Sequence, residues 1–132
     1  MNGGAFFDTN IPLYLFAGST AKASRAEDLL AEGGTVSVQV LNEFVAVARR
    51  KNASPWPAIE SALAALRYVC RVEPLTLATH ERAVTLARRY GFPIYDATIA
   101  ASALEAGCDT LYSEDFQHGQ VVDGMTICNP FL

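Results

Sequence analysis

Apolar positions in this chain come in two rhythms, short continuous runs and longer stretches spaced for helices. "AFFD" (Ala5–Asp8) is an apolar run closed by an acid and predicts a short buried strand. "NIPLYLFAG" predicts a short helix, with Asn10 as N-cap, Pro12 in the first turn and Gly18 as the stop. "STAKASRAEDLLAEGG" predicts a second helix ended by Gly33 and Gly34. "TVSV" (Thr35–Val38) predicts a second strand, and from about Gln39 to Lys51 the spacing turns helical, with Leu41, Phe44, Val45 and Ala48 on one face.

Pro55 to Tyr68 predicts another helix, "CRVEPL" a third strand or edge segment, and Thr79 to Tyr90 a helix stopped by Gly91. A helix is predicted from about Asp96 to Ala106, with Ile99, Ala100 and Ala103 as its apolar stripe. "TLYS" (Thr110–Ser113) and "MTIC" (Met125–Cys128) predict a fourth and a fifth strand. Strands that alternate with helices imply a parallel sheet covered on both faces. No repeat, linker or low-complexity stretch interrupts the 132 residues, which are expected to form one domain.

One residue breaks the pattern. Asp96 stands three, four and seven positions before Ile99, Ala100 and Ala103, on the stripe the helix is expected to bury. Connectivity suggests a reason. In a parallel sheet, a helix that follows a strand begins at the carboxyl edge, and so does a helix that feeds the next strand; ligands gather at that edge. Asp8 ends the first strand, Glu43 lies in the first turn or so of the helix after the second, Asp96 opens the helix that feeds the fourth, and Asp115 follows the fourth. All four are therefore expected at one edge.

Each acid also has a plain structural explanation. Asp96 reads as an N-cap, Asp115 as a turn residue, and Asp8 as a cap for the next helix. Glu43 falls on the face opposite Phe44 and Ala48, which by periodicity faces solvent. Taken together the four point to chemistry. Packed carboxylates repel and cost stability unless a cation offsets them. A hard divalent ion takes oxygen ligands, lowers the pKa of a bound water and stabilises charge on a phosphate.

Composition narrows the choice. Hydrophobic residues make up 51% and charged residues 18%, too greasy for a disordered chain. No run is long enough to span a membrane and no signal-peptide pattern opens the chain, so a soluble cytoplasmic protein is expected. Cys70, Cys108 and Cys128 are odd in number and not spaced for a metal, as in reduced thiols. The net charge of −4 argues against broad electrostatic binding of nucleic acid. If four of the fourteen acids hold metal, however, the remaining ten balance the ten Lys and Arg.

"FFDTN", "LNEF", "IYDATIAASALEAGCDTLYSEDFQHG" and the closing "NPFL" resemble PIN-domain proteins, and within that family the VapC-like toxin ribonucleases of VapBC-type toxin–antitoxin pairs. The likeness runs in order along essentially the whole chain. "DTN" alone is common; "YDATIAA" followed by "LYSEDFQHG" is far more specific. The resemblance implies an α/β/α sandwich with a parallel sheet of about four or five strands. It also implies a Mg²⁺- or Mn²⁺-dependent endoribonuclease, a homodimer, and an antitoxin partner lying across the acidic groove.

The family's acidic quartet maps onto Asp8, Glu43, Asp96 and Asp115. In it Asp8 and Asp96 would bind metal most directly, with Glu43 and Asp115 at a second ion or behind the first. Thr9 and Asn10 match small polar positions beside the first acid, and Ser113 matches the hydroxyl position before the last, where it would hydrogen-bond a carboxylate or a phosphate; all three are candidates for substrate contact. Glu114, next to Asp115, is the competing choice for the fourth acid.

Two other functions fit parts of this pattern. A phosphohydrolase that uses the first strand's Asp would want a second Asp two residues on, where this chain has Asn10. A non-catalytic PIN-like module that binds RNA or protein would not need the full quartet. The basic residues of "ARRK" (Ala48–Lys51) and Arg88–Arg89 read as helix-end charges or as phosphate contacts. His118 is near Asp115 in sequence, His80 belongs to a helix start, and Trp56, between two prolines, is expected to be buried in the core or an interface.

Overall fold

In the computed structural model, which describes residues 4–18 and 20–132, twelve elements follow one another. They are β1 (Ala5–Phe7), α1 (Asn10–Ala17), α2 (Thr20–Ala31), β2 (Gly34–Ser37), α3 (Val38–Asn52) and α4 (Trp56–Val69). After these come β3 (Cys70–Glu73), α5 (Leu77–Tyr90), α6 (Ile94–Glu105), β4 (Thr110–Tyr112), β5 (Val121–Val122) and β6 (Met125–Cys128). The strands form one sheet in the order β3-β2-β1-β4-β6-β5. Every pairing is parallel except that of β5 with β6. The two-residue strand β5 has no counterpart in the sequence expectation; at that length it has no periodicity to detect.

Both faces of the sheet are covered. Phe6 and Phe7 are consecutive in β1 and point to opposite faces, yet neither is exposed. Helix α1 packs on α2, and α5 packs on α6. Gly34 is needed where β2 starts: a Cβ there would stand 2.5 Å from the Phe7 ring and 2.8 Å from the Ala5 carbonyl. Phe7 fills the space a side chain would take.

Several boundaries differ from the sequence expectation, each for a local reason. Thr9, not Asn10, precedes α1, and it makes no side-chain cap; the Asn10 side chain is engaged elsewhere. Ser37 caps α3 by accepting the Val40 N–H, so the helix begins at Val38 and Glu43 lies in its second turn. Thr76 and Thr79 form a reciprocal capping box that starts α5 at Leu77. Gly91, at φ +77°, closes that helix in the left-handed conformation.

Helix α6 begins at Ile94, behind Pro93, so Asp96 is its third residue and not its N-cap. The expected stripe is also too narrow, since every residue from Ala97 to Ala103 is buried. Ala, Ser and Thr are small enough to let neighbours close around the whole helix. Trp56, expected in the core or an interface, is 52% exposed and so lies outside the core. It lies at the start of α4, where the Arg49 guanidinium stacks 4.9 Å from the ring centre.

The main core runs from β1 and β2 through α6 to β6. A smaller cluster of Phe44, Ala48 and Ile59, with Leu13 and Phe16 against it, pins α3 and α4 to α1. Cys70, Cys108 and Cys128 are free thiols. Among the described residues no helix is long and apolar enough to cross a membrane.

Candidate active site

Strand register sets the centre of the site. Phe7 pairs with Tyr112 in the parallel β1–β4 ladder, so the residues that follow, Asp8 and Ser113, emerge side by side at the carboxyl edge. The Asp8 N–H donates to the Tyr112 carbonyl at 3.0 Å, and Ser113 Oγ donates to Asp8 Oδ2 at 2.6 Å. Thr9 N–H donates to Asp8 Oδ1 at 2.7 Å. Both carboxylate oxygens of a buried acid are thus held.

The network continues on both sides. Thr9 Oγ1 donates to Glu43 Oε1 at 2.8 Å. Ser113 Oγ accepts the Asp115 N–H at 3.0 Å, and Asn10 Nδ2 donates to Asp115 Oδ2 at 3.1 Å. One chain of hydrogen bonds therefore links Glu43, Thr9, Asp8, Ser113, Asp115 and Asn10. Gln39, which the sequence reading missed, donates to Glu43 Oε2 at 2.8 Å from one helical turn away. The four-residue spacing was the available signal. These contacts turn Glu43 inward, against the solvent-facing orientation that periodicity predicted.

Asp96 enters the site through charge. Among the described residues its carboxylate takes no side-chain hydrogen bond. Burial raises its pKa, and repulsion from Asp115 and Glu43 adds to the shift. Asp8 is shifted further, from 3.8 to about 7. Burial is the largest cause, the bonds from Ser113 and Thr9 oppose it, and Asp115 and Glu43 again repel.

Neighbouring polar residues have other duties. Glu114 is held by the Tyr14 hydroxyl and by Lys22 at 3.3 Å, which leaves Asp115 as the acid joined to the Asp8 network. His118 Nδ1 accepts the Asn129 N–H at 2.9 Å, a loop-fixing bond. Arg89 pairs with Asp123 at 2.9 Å.

Among the described residues, no three of the Asp, Glu, His and Cys side chains stand close enough to enclose one ion as they are. The donor chemistry nevertheless fits a hard cation. All the candidates offer oxygen, no cationic side chain among the described residues is bonded to the quartet, and Asn10 Oδ1 is buried with no partner.

A parallel α/β sheet between helices, with acids delivered to its carboxyl edge, defines an α/β/α protein with an acidic edge site. The chain belongs to the PIN domain family, whose model matches residues 5–123. A search of curated proteins finds no match. The chain is similar to solved structures of toxins and toxin–antitoxin complexes. One is Mycobacterium tuberculosis VapC20, described as a sarcin-ricin loop cleaving toxin: 28% identity, 84% of this chain and 89% of that one, TM-score 0.69. A Klebsiella pneumoniae toxin–antitoxin complex is 22% identical over 96% of this chain and 97% of that one, TM-score 0.73. Rickettsia felis VapBC2, bound to a DNA fragment from its promoter, is 17% identical over 93% and 96%, TM-score 0.66.

Proposed function

We propose that this chain is the endoribonuclease toxin of a type II toxin–antitoxin pair, cytoplasmic and homodimeric, hydrolysing RNA phosphodiester bonds with Mg²⁺ or Mn²⁺. The observation that carries the reading is the buried Asp8 carboxylate. It is repelled by two neighbouring acids and held by Ser113 and Thr9, with no cationic side chain among the described residues bonded to it. Such an arrangement costs stability for its own sake and suits an ion-binding role.

Asp8 and Asp96 would hold the ion, with Glu43 and Asp115 serving a second ion or orienting waters. When bound, the ion would supply a water of lowered pKa and would stabilise charge on the scissile phosphate. The protein's own part is positional. Ser113 and Thr9 N–H hold both Asp8 oxygens, Thr9 Oγ1 and Gln39 aim Glu43, and Asn10 steadies Asp115. Of the three candidates for substrate contact only Asn10 is part-exposed; Thr9 and Ser113 are buried with their hydroxyls on the acids, and they hold the carboxylates instead of meeting RNA.

The partner is an antitoxin protein. A largely apolar groove of about 460 Å³ between α1, α2, α3 and α4, lined by Leu15, Phe16, Phe44 and Leu66 among others, holds none of the four acids. It offers that partner a surface apart from the chemistry.

The test is sequencing of RNA 5′ ends after brief expression in cells, beside an Asp8→Asn variant. New 5′ ends at defined sites with the wild type, absent with the folded variant, are expected. Identical ends from both would remove Asp8 from the mechanism.

A further inference from the structure

The net charge of −4 and the acidic edge together repel RNA, so a ribonuclease built on this chain needs its binding energy elsewhere. Helix α3 supplies a route. Glu43 and Arg50 are seven residues apart, on one helix face and about 10 Å along the axis. Between them that face presents Ala46, exposed, and Val47, half-buried, which form an uncharged track from the acid site to the end of the helix.

The track ends in a basic and aromatic tip. From Ala48 to Ile59 the chain carries Arg49, Arg50 and Lys51 and no acid. Arg49 is committed to the fold: its Nη1 donates to the Ser54 carbonyl at 2.8 Å and its guanidinium stacks on Trp56. Arg50 and Lys51 are exposed and, among the described residues, form no ion pair. Trp56 is the one tryptophan of the chain and about half of it faces solvent. Helix-end charge explains cations in a last turn, but not a tryptophan held half-open beside them.

We propose that the α3–α4 tip is a second contact site for single-stranded RNA, an inference that rests on the ribonuclease reading above. Arg50 and Lys51 bind phosphates of the strand that leaves the acid site along α3, and Trp56, steadied by Arg49, stacks on a base. The cluster of Phe44, Ala48 and Ile59 beneath keeps the tip rigid with respect to Glu43. These are positioning residues and touch no reacting atom.

The test is fluorescence anisotropy of a labelled mixed-sequence RNA of about 20 nucleotides. It is run on the full chain in EDTA, at salt concentrations between about 50 and 200 mM. R50E/K51E is expected to weaken binding about tenfold or more and to reduce the salt slope by about one to two. Trp56→Ala is expected to weaken binding about fivefold or more with the salt slope unchanged, and Trp56→Phe to restore part of the loss. Thermal melts confirm that each variant is folded.

A wild type that binds RNA, with folded variants that match it in affinity and slope, overturns the platform alone and leaves the tip to an acidic protein partner. A wild type that binds no RNA in EDTA overturns the platform, whose contacts need no metal; the ribonuclease reading stands or falls by the 5′-end sequencing above.

Discussion

Ser113 and Asp8, 105 residues apart in sequence, meet in a fully buried hydrogen bond of 2.6 Å. The β1–β4 register creates it, because each residue directly follows a paired strand position. The bond opposes the desolvation that drives Asp8 up to about 7. Burial thus favours the protonated carboxyl far more than at a free aspartate, and a bound cation would favour the ionised form.

Ser113→Ala removes the donor to Asp8 and the acceptor of the Asp115 N–H. The Asp8 pKa is expected to rise further, and the acid limb of the cleavage–pH profile to move to higher pH. Loss of bonds at a buried charged group costs about 1–3 kcal/mol. A pH–rate profile and a urea melt check both; a profile and a midpoint equal to wild type would contradict the assigned role.

Asp8 also dictates how metal-free stability varies with pH. Unfolded, it ionises near 3.8; folded, near 7. Between those values the native state keeps a proton that the unfolded state has lost, so unfolding free energy falls as pH rises. The contribution is whole below about 4 and lost as pH climbs through about 7. At about 1.4 kcal/mol per pKa unit, the span is on the order of 4 kcal/mol. In EDTA, Asp8→Asn is expected to melt above wild type at pH 8, with the difference closing towards pH 4.

Asp96 is half-buried and repelled by Asp115 and Glu43, and it is not a cap. In EDTA, Asp96→Asn is expected to melt at or above the wild-type temperature. Added Mn²⁺ is expected to raise the wild-type melting temperature more than that of the variant. A marked loss of metal-free stability in the variant would show that the carboxylate serves the helix instead.

Phe44 is 2% exposed and meets Phe16 edge to face, with ring centres 5.3 Å apart. Phe44→Ala is expected to cost about 3–4 kcal/mol. Because its cluster is separate from the main core, hydrogen exchange in α3 and α4 is expected to quicken more than in the central sheet. Uniform acceleration across the chain would mean that the two clusters unfold as one.

The alternation of strands and helices, the parallel sheet and the shared edge of Asp8, Glu43, Asp96 and Asp115 were legible before folding was considered. Those depend on local periodicity and on the one direction a parallel crossover can run, both written into consecutive residues. At Glu43 and Asn10 the sequence misled because the partner lies far along the chain. Glu43 reads as solvent-facing on its own helix and is turned inward by Thr9, 34 residues away. Asn10 reads as a cap and is claimed by Asp115. Trp56 reads as core or interface; the core is ruled out, because it stands half-open beside Arg49. Which partner Ser113 takes, and the Asp8 shift that its bond opposes, came with folding, since burial and hydrogen bonding at a carboxylate depend on atoms brought near by it.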